Sequence, residues 1–187
     1  MGRSCKLRLA LIGSRETPRR VLDLMSLMGL AFSKAGHFSY SGGAPGADKA
    51  WLSRYDLSKS LAIIPYNGFN DLHTGPGVIT WAEMNNESRI KSYIKAKEVF
   101  PDLDSQRDII KTLFCRNAMQ VLGEDCVSPV DHVYYWTTVR NGEETGGTRI
   151  AIRIAQRHGI PCTNLNNKEV FERLKAEYAP DFDIFSL

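Results

Sequence analysis

Three turns rich in glycine and hydroxyl residues each follow an apolar run and precede a stretch of helical periodicity. Their candidate ligand-binding residues are Gly13, Ser14 and Arg15 in the first turn, Ser41, Gly42, Gly43, Gly46 and Asp48 in the second, and Gly146, Gly147 and Thr148 in the third. Glycine lets a backbone approach a ligand closely, and the N–H groups at a helix start favour a phosphate or carboxylate. One such turn alone is more often a plain tight connection, but three at one sheet edge predict an anion-binding crevice.

Basic side chains accompany these turns. Arg15 lies in the first turn, Arg149 follows the third, and Arg116 and Asn117 lie together in a predicted helix. A guanidinium group matches the bidentate geometry of a phosphate, so we expect Arg15, Arg116 and Arg149 to reach phosphates. Arg153 continues the helical spacing from Arg149, and we interpret it as part of a solvated face.

Other candidate groups carry weaker signals. Asp48 either caps its helix or contacts a ligand hydroxyl. No carboxylate pair has acid/base spacing, so the catalytic residues stay unknown. The four cysteines and four histidines lack metal-ligand spacing, and we predict no metal and no cofactor. Residues 66–80 are rich in turn formers and predict a binding loop or lid, in which Tyr66, Phe69 and the neighbouring Trp81 either pack or stack on a base.

The composition is that of an ordinary globular chain. It has 187 residues, 43% of them hydrophobic, and a net charge of +3. This charge permits a phosphate-bearing partner and excludes a histone-like polycation. We find neither a membrane-spanning apolar stretch nor a signal peptide, so we expect a cytoplasmic protein without membrane contact. We also expect one domain over residues 1–187.

Strand-like and helix-like segments alternate along the chain. Strands are predicted at residues 7–12, 38–41, 61–64, 132–137 and 161–165. Helices are predicted from Pro18, with Thr17 as N-cap, to Gly36, and at residues 48–58, 86–98, 105–122, 147–158 and 168–178. This alternation predicts an α/β fold, a Rossmann-like parallel sheet of about five strands with helices on both faces. Its ligands would bind at the carboxyl ends of the strands.

In order, four segments resemble the DprA/LOG-like superfamily, called SLOG. They are Leu11-Ile12-Gly13-Ser14-Arg15, the turn and helix start of residues 41–50, Phe114-Cys115-Arg116-Asn117, and Gly146-Gly147-Thr148 with Gly159-Ile160-Pro161 beyond it. The third segment is similar to the DprA (DNA-processing protein A) branch. The resemblance covers residues 7–165, leaving a C-terminal helix and tail at 166–187. A stand-alone domain of this kind is the sort that phages and mobile elements carry.

The resemblance implies a crevice for a nucleotide, a nucleotide-derived signal or the phosphates of single-stranded DNA. It implies binding roles for Ser41, Gly42, Gly43, Gly46, Arg116 and Asn117. Members of the DprA branch bind single-stranded DNA, dimerise and help load a recombinase, so a homodimer is expected. The apolar tail residues Phe182, Ile184 and Phe185 either join two copies or cover their own domain.

The chain departs from this pattern at two positions. Pro45 stands where the DprA turn carries an arginine, which weakens the DNA assignment. Ala151 stands where the enzymatic LOG branch, which cleaves nucleoside monophosphates, carries a glutamate. Nucleotide binding is therefore the first hypothesis, and single-stranded DNA binding is the alternative. An N-glycosidase or deoxyribosyltransferase-like enzyme using another carboxylate, such as Glu83 or Glu144, is the third.

Overall fold

A sheet of six parallel strands forms the centre of the computed structural model, which describes residues 5–180. The strands are β1 (Arg8–Leu11), β2 (Phe38–Ser41), β3 (Ser60–Ile64), β4 (Val78–Thr80), β5 (His132–Tyr135) and β8 (Cys162–Asn164), with a separate hairpin of β6 (Val139–Arg140) and β7 (Glu143–Glu144). The order across the sheet is β4-β3-β2-β1-β5-β8, and every neighbouring pair is parallel. The predicted Rossmann-like α/β class is confirmed.

Strand β4 corrects the prediction of five strands, because it lies in the segment taken as irregular. Gly75 and Val78 exchange two backbone hydrogen bonds across a tight turn, and Ala62 on β3 donates to the Gly77 carbonyl at 2.8 Å. These bonds align the β-branched residues Val78 and Ile79 with β3. The three residues of β4 follow a segment dense in turn formers and show no alternating pattern of their own, so sequence periodicity misses this strand.

Six α-helices surround the sheet within the described residues. They are α1 (Arg19–Lys34), α2 (Ala47–Leu52), α3 (Asn86–Val99), α4 (Asp108–Leu122), α5 (Thr148–Arg157) and α6 (Lys168–Tyr178), with 3₁₀ turns at Leu57–Lys59, Trp81–Glu83 and Pro101–Ser105.

Three helix predictions are corrected. The helix predicted at 48–58 ends at Leu52, because the Asp56 side chain accepts a bond from the Ser58 amide and begins a 3₁₀ turn. The helix predicted at 105–122 begins only at Asp108, after a 3₁₀ turn that starts at a proline. Pro18 is the N-cap of α1, because the Thr17 hydroxyl donates to the Ser14 carbonyl instead of capping the helix.

Two apolar clusters cover the two faces of the sheet. Successive residues of β1 point to opposite faces: Leu9 and Leu11 join the cluster of α1, α2 and α6, and Ala10 joins that of α4 and α5. No helix among residues 5–180 is long and apolar enough to span a membrane. The tail residues Phe182, Ile184 and Phe185 lie outside the described residues.

The strand order reverses between β1 and β5. Strand β1 continues to β2 on one side, while β5 flanks β1 on the other side. Ligands of open α/β sheets bind at such a switch point, beyond the carboxyl ends of the strands. Here the first turn meets the segment that follows β5, because the Ser14 amide donates to the Trp136 carbonyl at 2.9 Å. A Cβ atom on Gly13 would lie 2.5 Å from Ala47 Cβ, so this junction requires glycine.

Candidate functional site

A cleft of about 660 Å³ opens at this switch point. Its lining includes residues 13–15 of the first turn, Ala44 and Asp48 of the second, and residues 145–149 around the third. The structure therefore brings parts of all three glycine-rich turns to one cleft. The side chains of Arg116 and Asn117 reach it from α4.

The first turn is fixed by the protein's own backbone. The Ser14 hydroxyl accepts a hydrogen bond from the Glu16 amide at 3.1 Å, and Gly46 packs closely against the Ser14 carbonyl. Gly46 has φ +84°, and a Cβ atom there would lie 2.8 Å from that oxygen. The Arg15 side chain, in contrast, is exposed at the cleft. The turn thus presents one exposed cation on a backbone that is fixed by hydrogen bonds and close packing.

The second turn is occupied by its own carboxylate. Asp48 Oδ2 accepts from the Gly42 amide at 2.9 Å and from the Ala44 amide at 3.3 Å, and the nearby Gly13 amide also acts to lower the Asp48 pKa. The expectation that this turn offers free amides to a ligand does not hold at these positions. Asp48 is not the helix cap either, because the N-cap of α2 is Gly46. The second turn therefore contributes a carboxylate to the cleft.

Arg116 connects α4 to the second turn. Its Nη1 donates to the Gly42 carbonyl and, at 3.3 Å, to the Ile63 carbonyl at the end of β3. Its guanidinium carbon lies 5.6 Å from the centre of the Phe69 ring. A Cβ atom on Gly42 would lie 1.7 Å from Nη1, so glycine leaves the space that Arg116 fills. Burial lowers the Arg116 pKa to about 10, although neighbouring Asp48 raises it.

Asn117 connects α4 to the third turn. Its side-chain Nδ2 donates to the Gly147 carbonyl at 3.0 Å, and the residue is buried. The adjacent residues Arg116 and Asn117 thus hold two separate turns at one helix. Their hydrogen bonds therefore fix the positions of the second and third turns at the cleft.

The floor of the cleft contains two buried polar atoms, Asp48 Oδ1 and Arg116 Nε, that have no hydrogen-bond partner among the described residues. Burial raises the Asp48 pKa, and Arg116 and the three amide donors oppose this shift. Buried polar atoms are rarely left without partners, so this pair is an unsatisfied part of the site.

The third turn exposes its backbone to the cleft. A Cβ atom on Gly146 or Gly147 would meet nothing within 4 Å, and Gly146 has φ +69°. Thr145 anchors the turn, because its hydroxyl lies 2.6 Å from that of Thr138 and its carbonyl accepts from Thr137. Helix α5 starts at the next residue, Thr148, and the first N–H groups of a helix have no intrahelical acceptor. The third turn is therefore anchored by side chains while its glycine backbone stays open to the cleft.

Besides Arg116, three arginines line the cleft, namely Arg15, Arg140 and Arg149. Their side chains form no hydrogen bond and no ion pair with any of residues 5–180. Arg140 was missed by the sequence prediction because it lies on the β6–β7 hairpin. The signal was present: Asn141-Gly142, at φ 52° and 80°, is the dipeptide that two-residue hairpin turns prefer.

An apolar wall on α4 also escaped prediction. Ile110, Leu113 and Phe114 line the cleft and remain partly exposed. Their i, i+3, i+4 spacing places them on one face of the helix. This spacing was visible in the sequence, but it is equally typical of residues packed in a core.

The remaining candidates support the cleft rather than line it. Ser41 is fully buried. Gly43 packs on Leu72, because a Cβ atom on Gly43 would lie 2.3 Å from Leu72 Cδ1. Residues 66–80 are not a lid over this cleft, because Phe69 and Leu72 pack beneath the second turn.

The proposed stacking aromatics and carboxylates lie elsewhere. Tyr66 is exposed beside a second, shallower pocket, and Trp81 donates to Ser92 at 3.1 Å. Glu83 bonds Thr80, and Glu144 accepts from Tyr135 at 2.9 Å. Arg153 lies on the exposed side of α5 and pairs with Glu143 at 2.8 Å, as expected for a solvated face. No group of three potential metal ligands occurs among the residues described.

The fold and the cleft define a class: an α/β protein with a Rossmann-like parallel sheet and a cation-lined cleft at its switch point. Comparison of the chain with models of protein families, with curated proteins and with solved structures finds no match.

Proposed function

We propose that this protein binds a nucleotide or a nucleotide-derived phosphorylated ligand in the cleft. One observation carries the proposal: unpaired arginines and the open third turn share the cleft with the apolar wall of α4. A nucleotide has the same division, with anionic phosphates at one end and a flat apolar base at the other.

The phosphate end is supported by three cations and one helix start. Arg15, Arg140 and Arg149 have no carboxylate partner within residues 5–180, so a ligand anion would meet unneutralised charge. The N–H groups at the start of α5 add partial positive charge at the same place. The carboxylates that line the cleft are Glu16 and Asp48, and Asp48 is already held by backbone amides.

The base end is supported by Ile110, Leu113 and Phe114. Ligand pockets combine an apolar lining with a few placed polar groups, and this cleft has both. Asp48 lines the same cleft, and its Oδ1 is a carboxylate oxygen without a partner, which can accept a hydrogen bond from a sugar hydroxyl.

Membership of the SLOG superfamily is part of this proposal. Its support is the order of the four segments together with the contacts of Arg116 and Asn117, which hold the second and third turns. Ala151 is fully buried in the core, so α5 supplies no carboxylate to the cleft from that position. This favours binding over the phosphoribohydrolase reaction.

The test is a calorimetric titration of nucleoside mono-, di- and triphosphates, with inorganic phosphate and nucleosides as partial ligands. Arg149→Gln should weaken nucleotide binding about 10- to 100-fold, the loss expected for one charge-assisted contact. Arg153→Gln is the matched control, because Arg153 lies one helical turn further on α5 and pairs with Glu143. No binding by any nucleotide, or equal losses in both variants, would refute the proposal.

Single-stranded DNA is the second candidate, favoured by the exposure of Arg15 and Arg140 at the cleft. The affinity of the protein for an oligothymidylate should then fall steeply as the salt concentration rises, because phosphates release counterions when the protein binds them. Oligonucleotide binding without mononucleotide binding would select this candidate. Release of free base from nucleoside monophosphates would instead indicate an enzyme.

A further inference from the structure

Helix α3 buries three small residues and exposes two isoleucines. Ser88, Ser92 and Ala96 face the core, whereas Ile90 is 53% exposed and Ile94 is 49% exposed. An ordinary surface helix has the opposite arrangement, with apolar residues inward and polar residues outward. The two isoleucines are four residues apart, so they form one continuous apolar ridge.

Charged residues extend this ridge at both ends. Glu87, Ile90, Ile94 and Lys97 are all exposed and follow a 3-4-3 spacing, the spacing of the seam between two packed helices. Glu87 pairs with Lys91 at 2.6 Å, and Lys97 pairs with Asp104. Exposed pairs of this kind contribute little and exchange partners easily, so both charges remain able to interact with another chain.

We propose that this face of α3 docks on the same face of a second copy, with the two helices antiparallel about a two-fold axis. In this arrangement Ile90 packs on Ile94 of the second copy, and Glu87 faces Lys97 of the second copy. Both pairs are centred on position 92, so a single axis satisfies them together. A two-fold interface repeats each contact, giving two isoleucine contacts and two charge pairs.

The charges select both the occupant and its direction. A parallel pairing would set each Glu87 against its own equivalent and each Lys97 likewise, and like charges repel. The face formed by Glu87, Ile90, Ile94 and Lys97 is complementary to a second copy of itself only when the two helices are antiparallel. This is the property of a two-fold interface between identical chains.

The ridge is small, so the expected dimer is weak. Specific interfaces bury about 1,600 Å², and a single pair of helices covers less, which predicts a dissociation constant in the micromolar range. None of the residues that line the cleft belongs to α3, so changes on this face leave the proposed ligand site intact.

Sedimentation of the full chain at low salt, from about 1 to about 500 µM, tests the proposal. The wild-type chain should associate with rising concentration, and the double variant Ile90→Glu, Ile94→Glu should stay monomeric. Leu57→Glu is the matched control, because Leu57 is 50% exposed on a different element and should not affect association. Circular dichroism of each variant verifies that it is folded. A monomeric wild-type chain throughout this range, or association that persists in the double variant, overturns the proposal.

Charge reversal tests the register. Glu87→Lys alone and Lys97→Glu alone should each weaken association about tenfold, because each reversal turns two attractions into two repulsions. An equimolar mixture of the two variants should associate as well as the wild-type chain, since every facing pair then has opposite signs. A mixture that associates no better than either variant alone contradicts the antiparallel register and with it the proposal.

Discussion

Arg116 on α4 donates from its Nη1 to the carbonyl oxygen of Gly42, 74 positions earlier in the chain. The contact crosses from the helical layer to the carboxyl end of β2, and the same nitrogen reaches the end of β3 through Ile63. One buried guanidinium therefore fixes two neighbouring strand ends. Because Asp48 accepts from the Gly42 amide, both the N–H and the C=O of that glycine are held by side chains.

Gly42→Ala should destabilise the protein, because the new methyl group takes the place of Arg116 Nη1. Overpacking of a filled site costs about 1–3 kcal/mol, and displaced Arg116 would also lose its carbonyl acceptor. We expect the melting temperature to fall by about 5 °C, measured by differential scanning calorimetry.

The matched control is Gly147→Ala, where the added Cβ atom meets nothing within 4 Å and φ is −68°. Its melting temperature should stay close to that of the wild-type chain. Equal stability of the two variants would show that Arg116 does not fill the space beside Gly42.

The sequence predicted the elements that carry a strong local pattern. Helix α6 runs from Lys168 to Tyr178 as predicted, and the five predicted strands are in their expected places. Strand β4 was missed, because its three residues are defined by pairing with β3 and not by their own pattern.

The cleft was predictable only in part. Glycine and hydroxyl turns mark sheet edges, so the contributions of Gly13 and Gly147 followed from residue type. Residue type did not predict that Asp48 accepts from the amides of Gly42 and Ala44. An aspartate at a helix start can accept hydrogen bonds in several ways, and sequence spacing does not distinguish them. The role of Arg116 depends on a contact between distant segments, which local sequence does not encode.

Asn117→Ala should weaken ligand binding more than it weakens the fold. The substitution removes the hydrogen bond to the Gly147 carbonyl, and with it the link between α4 and the third turn. A buried hydrogen bond contributes about 1 kcal/mol to stability, so the melting temperature should fall by only about 2–4 °C. Nucleotide affinity should fall about tenfold, because the turn must then be ordered by the ligand itself. Titration calorimetry at a temperature where the variant is fully folded separates the two effects. Unchanged affinity would mean that the third turn holds its position without α4.

Leu113→Ser should change which part of a ligand is bound. Leu113 belongs to the apolar wall, so the variant should bind nucleotides about five- to tenfold more weakly while its binding of inorganic pyrophosphate stays unchanged. Ile109→Ser is the control, because Ile109 lies on the same helix, is exposed, and does not line the cleft. If pyrophosphate and nucleotide binding weaken together, Leu113 supports the fold of the cleft and does not contact a base.

Stability should decrease on mild acidification, because two histidines are held in their neutral form. His37 Nδ1 accepts a hydrogen bond from the Leu7 amide at 3.1 Å, which a protonated nitrogen cannot do. His132 stacks on Tyr134, and its Nε2 lies 2.7 Å from the Thr163 hydroxyl. Burial lowers the pKa of both histidines below the ordinary 6.5, and for His37 the charge of Asp131 partly opposes the shift.

The direction of the effect follows from proton linkage. Below pH 6.5 the histidines of the unfolded chain bind protons, while those of the folded chain stay neutral. The free energy of unfolding therefore falls as pH decreases through 6.5 and levels off below the folded pKa values. Both side chains are partly exposed, so solvent limits the loss to about 1 kcal/mol, or about 2–4 °C in melting temperature between pH 7.5 and 5. His132→Phe keeps the ring stack and should flatten this pH profile relative to that of the wild-type chain. Identical profiles for the His132 variant and the wild-type chain would show that His132 does not resist protonation in the folded chain.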